Sequence, residues 1–128
     1  MIALALLGCG PARQPIPVAH VPVRVERGDS SEVRLAERRY LAAGLPPLAR
    51  EVRVRVFPDP YVTPGSLPVG SAVPGALGGT WVATGDIDVV DVRYLPHEML
   101  HAAKIIAGDP TGDRDHRDPL WSSVPEGR

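Results

Sequence analysis

The sequence predicts a single small domain of the α+β class, with two helices packed against a small twisted sheet. Apolar residues recur at helical spacing over 31–43, and they alternate with charged residues over 51–57. A second helical segment, 96–107, follows two short strand-like segments. With 128 residues, the chain is long enough to bury one modest hydrophobic core and too short for two domains of ordinary size.

The composition excludes two broad functional classes. Hydrophobic residues make up 44% of the chain and charged residues 23%, with a formal net charge of -1. This balance is neither that of a disordered acidic tail nor that of a basic nucleic-acid binder, so no nucleic-acid partner is expected. Acidic residues outnumber basic ones over 58–128, which suits a bound cation better than a phosphate.

The first part of the domain is predicted to contain a strand and then a helix. Valines alternate with polar residues over 18–27, and Pro22 restricts this strand to a sheet edge because proline lacks an N–H. The helix over 31–43 begins after a serine cap, Ser30 or Ser31, and ends before a Gly-Leu-Pro-Pro stretch. Its apolar face comprises Val33, Ala36, Tyr40 and Ala43.

The middle of the chain is predicted to contain three strands and a long loop. Valines on one face and charged residues on the other make 51–57 a half-buried strand. Many Pro and Gly residues over 58–79 predict a loop without an element of its own. Two short strands, 81–84 and 87–92, are then expected around a turn at Gly85.

The second helix carries the motif that predicts chemistry. Pro96 suits the first turn of a helix over 96–107, which Gly108 would terminate. The helix opens with the sequence His-Glu-Met-Leu-His, an HExxH motif formed by His97, Glu98 and His101. Residues four apart lie on one helix face, so the two imidazoles can bind one metal ion, with the glutamate beside it to hold a water.

The HExxH segment makes the chain resemble a small zincin metallopeptidase over roughly residues 31–121. In zincins the two motif histidines bind zinc, and the motif glutamate polarises the attacking water. The resemblance implies a zincin-like fold, with a backing helix and an HExxH active-site helix, in a domain over 23–128. It also implies a zinc-dependent hydrolase of peptide bonds, with His97 and His101 as metal ligands and Glu98 as the general base.

A catalytic zinc site needs three protein ligands and one open position, so a third ligand must be found after the motif. The metzincin continuation HExxHxxGxxH does not fit, because Lys104 and Gly108 occupy its glycine and histidine positions. A thermolysin-like glutamate does not fit either, since the later Glu126 lies in no predicted helix. The remaining candidates are Asp109, Asp113, Asp115, His116 and Asp118.

His116 is the predicted third ligand. The segment from Asp109 to His116 can reach roughly 26 Å when extended, which is enough to fold back over the helix. Imidazole is a usual partner of zinc, and the chain is similar to extended zincin variants in which a Gly-Asp-rich loop brings back a late histidine. Asp113 and Asp115 stay open as alternative ligands.

The N-terminal segment resembles a bacterial lipoprotein signal. Residues 1–7 are almost entirely apolar and precede Gly8 and Cys9, which is the order of a lipobox. The resemblance implies a signal over 1–8, a lipid-modified Cys9, and a Pro-rich tether over 9–22. The protein would then be exported and anchored by its lipid to the membrane of the bacterial cell envelope. The apolar segment itself is too short to span a bilayer as a helix.

Several other polar residues have no selected role. An oxyanion could be stabilised by any of three side chains, Tyr61, Tyr94 and Arg117. A second cation site, or merely a solvated strand face, could be formed by Asp86, Asp88 and Asp91. His20 is expected to be a surface residue of the tether.

The predicted reaction is hydrolysis of a peptide bond in a peptide or protein substrate by a metal-activated water. An extended substrate is expected to add as a strand beside residues 86–92, with the loop 58–79 as a cover for the cleft. Two alternatives stay open: a non-catalytic zinc-binding lipoprotein that acts as a binding or scaffold module, and a hydrolase of a non-peptide amide. The intact Glu98 weighs against the first alternative, because a site that only binds zinc needs no base.

Overall fold

The structure is a computed structural model that describes residues 18–57 and 77–125. The described chain is an α+β domain with a mixed four-stranded sheet and two α-helices. In chain order the strands and helices are β1 (Arg24–Arg27), α1 (Ser30–Ala42), β2 (Arg53–Val56), β3 (Gly78–Thr80), β4 (Ile87–Val89) and α2 (Leu95–Ile106). Short 3-10 helices lie at Val92–Tyr94 and Pro119–Ser123.

The sheet has the order β1-β2-β4-β3. Strands β1, β2 and β4 are parallel, as expected for strands whose connections cross from one end of the sheet to the other. The last strand, β3, runs antiparallel to β4, with Gly78 opposite Val89 and Thr80 opposite Ile87. The strand β3 therefore forms one edge of the described sheet, and β1 forms the other.

The hydrophobic core lies between the sheet and the two helices. Helix α2 contacts β3, β4 and α1, so it is held on three sides. The largest fully buried apolar side chains come from both helices, the sheet and the segment that joins α1 to β2: Tyr40, Leu48, Ile87, Leu95, Met99 and Leu100. Met99 and Leu100 lie between Glu98 and His101 in the sequence, and both are buried in the core. Their packing fixes the rotation of α2 about its axis, and so the direction in which the motif side chains point.

Helix α1 is confirmed within one residue of its predicted bounds, but its cap is different. The predicted cap was a serine, whereas Asp29 is the N-cap and its side chain accepts from the backbone N–H groups of Ser31 and Glu32. Aspartate precedes both serines and supplies an oxygen at the correct position, so the serines fall inside the first turn. Gly44 follows the helix with a φ of 78°, a left-handed conformation that favours glycine.

The prediction of a strand over 81–84 is wrong. This segment forms a turn, because Trp81 N–H donates to the carbonyl of Asp86, and Gly85 N–H donates back to the carbonyl of Trp81. The strand lies earlier, at Gly78–Thr80, and its two glycines belong to the segment 58–79 that was predicted to be a loop. A Cβ at position 78 would lie 2.8 Å from Val89 Cγ1, so glycine is what permits this close strand pairing.

Three other predicted strands are shorter than expected. The edge strand expected over 18–27 is confirmed at a sheet edge, but its ladder covers only Arg24–Arg27. The half-buried strand expected over 51–57 covers Arg53–Val56. The strand expected over 87–92 ends at Val89, and Asp91 then caps a 3-10 helix by accepting from Arg93 N–H.

Some predicted features lie outside the described residues. These are the signal over 1–8, Cys9, most of the tether, and nearly all of the loop 58–79 with Tyr61. Within 18–57 and 77–125, no helix combines the length and the apolar character that a membrane span requires.

Candidate metal centre

The HExxH residues lie in the first two turns of α2. The helix begins at Leu95, with Pro96 in its first turn, so His97 and Glu98 follow immediately and His101 lies one turn later. The imidazoles of His97 and His101 lie edge to face, with ring centroids 5.0 Å apart. The prediction that these two histidines lie close together on one face of a helix is therefore confirmed.

His116 joins these two histidines, as predicted. One nitrogen from each of the three imidazoles lies within 4.8 Å of the others. The Nε2 atoms of His101 and His116 are 3.1 Å apart. The chain reaches this position by turning back after Gly108, whose φ of 105° ends the helix, and His116 itself has a φ of 54°. The three imidazoles form what we call the histidine cluster.

One hydrogen bond fixes which nitrogen of His101 faces the cluster. Its Nδ1 lies 2.6 Å from the carbonyl oxygen of Gly112, which can only accept, so Nδ1 carries the proton and donates. The Nε2 of a neutral His101 is then a lone-pair donor directed at the cluster. This arrangement orients the imidazole as outer partners do in metal sites.

Glu98 lies beside the histidine cluster but is buried. The residue is only 6% exposed. Thr80 Oγ1, on β3, lies 3.0 Å from both Glu98 Oε1 and the backbone carbonyl oxygen of Glu98, and donates to them. The second carboxylate oxygen, Oε2, lies 3.8 Å from His97 Nε2. Thr80 therefore holds one oxygen of the carboxylate and leaves the other directed at the cluster.

The surroundings of the motif residues shift their pKa values. Burial raises the pKa of Glu98 to about 7, although the Thr80 hydrogen bond works in the opposite direction. Burial lowers the pKa of His97 to about 4, and the imidazoles of His101 and His116 add to this effect. Burial also lowers the pKa of His101, despite its bond to the Gly112 carbonyl. Neutral imidazoles are the form that binds a metal ion.

The alternative third ligands, Asp113 and Asp115, are not part of the histidine cluster in the described structure. Asp113 accepts from the backbone N–H groups of Arg117 and Asp118 and from Trp121 Nε1, at 3.0, 3.0 and 2.7 Å. These bonds lower the pKa of the Asp113 carboxyl to about 2. Asp113 therefore organises the loop that carries His116, while the Asp115 side chain is largely exposed.

Trp121 is a site residue that the sequence analysis did not select. Its ring centroid lies 4.9, 4.4 and 4.3 Å from those of His97, His101 and His116, so one indole contacts all three imidazoles. Its local sequence, a polar segment with a proline two residues earlier, does not distinguish it from a residue that only packs. The nearest signal in the sequence is that Trp121 and Leu120 are the apolar residues of an otherwise polar stretch.

A cleft of about 410 Å³ opens over the histidine cluster. One wall is β3 and the turn after it, through Gly78, Thr80 and Val82. Another part of the lining is the loop after α2. This loop contributes Pro110, Thr111 and Arg114, and the end of α2 contributes Ile105.

The residues considered for an oxyanion do not line this cleft. Tyr94 and Arg117 are exposed elsewhere, and Arg117 lies 3.9 Å from Asp115. Tyr61 lies outside the described residues. Arg114, which the sequence analysis did not select, is the one arginine among the residues that the structure places along the cleft.

Each of the three aspartates on and near β4 forms an ion pair with an arginine. Asp86 pairs with Arg53 at 2.9 Å, Asp91 pairs with Arg93 at 2.6 Å, and Asp88 pairs with Arg55 at 2.8 Å. Asp88 also accepts from Trp81 Nε1. Each carboxylate thus has its own cation, and the three do not form a shared cation site.

His20 is not the surface residue that was expected. Leu48 N–H donates to His20 Nδ1 at 3.1 Å, so the Nε2 atom carries the proton and donates to Glu37 Oε2 at 2.7 Å. Glu37 also accepts from Val23 N–H and from Arg34. These contacts link three separate parts of the chain, and such pairings between distant residues have no local signal in the sequence.

Comparisons with known proteins give no relative for this chain: no family model, curated protein or solved structure matches it.

Proposed function

We propose that this protein is a zinc-dependent metallopeptidase, a hydrolase that cleaves peptide bonds with a metal-activated water and Glu98 as the general base. One observation carries the proposal: three imidazole nitrogens within 4.8 Å of one another lie beside a buried carboxylate oxygen. A site that only bound a metal would not need that carboxylate at its edge. The zincin-like arrangement, with α1 as the backing helix and α2 as the active-site helix, is part of the proposal.

The donor set suits zinc in a catalytic site. Zinc–nitrogen bonds of about 2.0–2.1 Å in a tetrahedron place ligand nitrogens roughly 3.3 Å apart. The Nε2 atoms of His101 and His116, 3.1 Å apart, are close to that spacing. Three nitrogen ligands with one position open to the cleft is the arrangement of catalytic rather than structural zinc. His116 is exposed, and it lines the cleft together with both helix histidines.

The chain's own residues supply the proton transfers. When bound, a zinc ion would supply a Lewis acid that acidifies a water and polarises the scissile carbonyl. Glu98 Oε2 takes a proton from the attacking water as its oxygen bonds to the carbonyl carbon. Glu98 then gives this proton to the leaving nitrogen as the C–N bond breaks, which leaves a carboxylic acid and an amine. The proton of the acid passes to the amine, so that a carboxylate and an ammonium group result. Thr80 holds the other oxygen of Glu98 and keeps the carboxylate oriented throughout.

We propose a different sheet edge for the substrate strand from the one expected. Strand β4 pairs with β2 on one side and β3 on the other, so a peptide cannot add beside residues 86–92 as expected. The free edge of the described sheet next to the cleft belongs to β3, through Gly78 and Thr80. An extended peptide bound along β3 would cross the cleft in front of Glu98.

The proposal extends to the place of the protein in the cell. The Leu-Leu-Gly-Cys sequence that ends at Cys9 supports a lipid anchor on that residue, and so an exported protein at the cell envelope. Mass spectrometry of the full-length chain produced in a bacterium tests this directly. We expect a mature protein that begins at a diacylated Cys9, and a Cys9→Ala variant without lipid. An unmodified Cys9 in the mature protein would contradict the anchor.

The test of the function combines metal content with hydrolysis. We expect the full-length protein to hold one zinc ion per chain and to cleave peptides of a mixed library. His101→Ala and His116→Ala should lose both zinc and hydrolysis, whereas Glu98→Gln should keep zinc and lose hydrolysis. A wild-type protein without zinc in zinc-replete medium would overturn the proposal. A protein that binds zinc but hydrolyses nothing would support the alternative of a non-catalytic binding or scaffold module. A protein that cleaves only non-peptide amides would support the alternative of a non-peptide amide hydrolase.

A further inference from the structure

We propose that Arg114 is a specificity-determining residue that binds a carboxylate of the substrate next to the histidine cluster. This inference rests on the function proposed above and adds the substrate class to it. The relevant carboxylate can be an Asp or Glu side chain or the free C-terminus of a peptide, because both present the same two oxygens.

The position of Arg114 favours contact with a bound peptide. It lines the same cleft as the three imidazoles and Glu98. The sequence places it two residues before His116, in the loop that carries the third imidazole. A peptide that follows β3 would therefore lie in the same cleft as the Arg114 side chain. The other lining residues of this loop and of the end of α2 are apolar or neutral: Ile105, Pro110 and Thr111.

The guanidinium of Arg114 is available for a substrate. Among the described residues, no carboxylate lies within 4.0 Å of it, although the loop is rich in aspartates. Asp109 accepts from Thr111 and from Asp113 N–H. The other aspartates have partners as well: Asp113 accepts from Trp121 and two backbone N–H groups, Asp115 lies near Arg117, and Asp118 pairs with Lys104.

Arginines elsewhere in the fold show the contact that Arg114 lacks. Arg55 donates to both oxygens of Asp88 through Nε and an Nη atom, at 2.8 Å each. Arg53 donates through the same two kinds of atom to one oxygen of Asp86, Oδ2. The planar two-point contact of Arg55 is what guanidinium groups make with carboxylates, and it discriminates a carboxylate from an amide. Arg114 lines the cleft with the same group and has no such partner among residues 18–57 and 77–125.

The charged side chains of the cleft give an electrostatic reason why a substrate with a carboxylate would be preferred. Glu98 is buried and is held by Thr80, whereas Arg114 is exposed and permanently charged. A substrate carboxylate brought between the cleft walls loses some of its water, and its attraction to the guanidinium is then less screened than at an open surface. Peptides with a basic residue in the same place meet repulsion instead.

The test measures binding and turnover separately. The probes are alanine-based hexapeptides in which one Glu or one Gln is moved through the sequence, each made with a free C-terminal carboxylate and as a C-terminal amide. Binding is measured by titration calorimetry on zinc-loaded, full-length Glu98→Gln, with and without Arg114→Ala added. Turnover is measured with the wild type and Arg114→Ala. The control is Arg117→Ala, which removes an exposed arginine three residues away that does not line the cleft.

We expect at least one carboxylate peptide to bind about tenfold more tightly than its amide match, the effect of one charge-assisted hydrogen-bond pair. Arg114→Ala should abolish this preference, and Arg117→Ala should keep it. The Glu/Gln pairs report a side-chain carboxylate, and the acid/amide pairs report a C-terminal one.

The two proposals fail in different ways. Equal binding of carboxylate and amide peptides, or no binding of any probe, overturns the role of Arg114 even if the wild type cleaves peptides. Selective binding that depends on Arg114 supports the role even if no probe is cleaved, and the peptidase function then fails on its own. Loss of selectivity in Arg117→Ala to the same extent as in Arg114→Ala also overturns the role.

Discussion

The indole Nε1 of Trp121 donates to Asp113 Oδ2 at 2.7 Å, and the same indole contacts all three imidazoles of the histidine cluster. One side chain thus connects the two parts of the site, the histidines on α2 and the loop that carries His116. Asp113 completes this connection by binding the backbone of the residues that follow His116. The position of His116 therefore depends on residues outside the histidine cluster.

Replacing Asp113 should weaken metal binding without removing a ligand. We expect Asp113→Ala to raise the zinc dissociation constant about 10- to 100-fold, the range found when partners outside the ligand set are lost. Competition with a chromogenic chelator measures this constant, and circular dichroism checks that the helices persist. Asp115→Ala is the matched control and should bind zinc like the wild type, because Asp115 is exposed and its nearest cation is 3.9 Å away. Zinc loss in Asp115→Ala alone would contradict the ligand assignment.

The two roles of Trp121 can be separated by two substitutions. Trp121→Phe keeps an aromatic ring against the imidazoles but loses the donor to Asp113, whereas Trp121→Ala loses both. We expect zinc affinity to fall in the order wild type, Trp121→Phe, Trp121→Ala, with a first step of roughly tenfold for one lost hydrogen bond to a charged group. The same chelator competition measures the order. Equal affinity in all three proteins would show that the indole does not support the site.

The hydroxyl of Thr80 should affect turnover and not metal content. Thr80→Val keeps the shape of the side chain but removes the donor to Glu98, so the carboxylate loses its fixed orientation. We expect kcat to fall roughly tenfold, again the effect of one hydrogen bond, with one zinc ion per chain retained. Thr80→Ser, which restores the hydroxyl, should recover most of the rate. A Thr80→Val protein with the wild-type kcat would remove Thr80 from the mechanism.

Glu37 should make the fold sensitive to acid. Burial raises the pKa of this carboxyl, but hydrogen bonds from His20, Val23 N–H and Arg34 outweigh burial, so the net pKa lies below its ordinary value of 4.5. A carboxyl with a lowered pKa stabilises the fold above its ordinary pKa, and this contribution is lost as the pH falls through the folded value. Glu37→Gln should therefore be less stable than the wild type at pH 6 by about 1–3 kcal/mol.

Urea unfolding at several pH values measures this difference. The gap between the wild type and Glu37→Gln should be constant above pH 5 and should narrow as the pH falls below 4.5. Glu32→Gln, an exposed substitution in the same helix, is the control and should follow the wild type at every pH. A gap that widens in acid would contradict the role given to Glu37.

The parts of the site with a local pattern could be predicted from the sequence. Pro96 and Gly108 bracket the helix, and its structural bounds, Leu95–Ile106, lie within one residue of those expected. The spacing of the two helix histidines follows from helix geometry alone. His116 could be selected by chemistry and chain reach, because few other ligands follow the motif, and the structure places it in the histidine cluster.

The parts that depend on contacts between distant residues could not be predicted. Strand β3 consists of two glycines and a threonine, so it has no apolar alternation, and only close packing against Val89 explains it. The bond from Trp121 to Asp113 and the role of Thr80 depend on how loops fold back, which no spacing rule describes. For the same reason the pairing of His20 with Glu37, seventeen positions apart, left no signal.

The loop that carries His116 also has a consequence for how the protein is made. During synthesis His101 precedes His116 by fifteen residues, and Trp121 and its bond to Asp113 come later still. A nascent chain that stops before residue 116 has two of the three imidazoles of the histidine cluster and lacks the indole against which they pack. Translation products that end between residues 116 and 121 contain all three imidazoles but still lack the indole and its bond to Asp113.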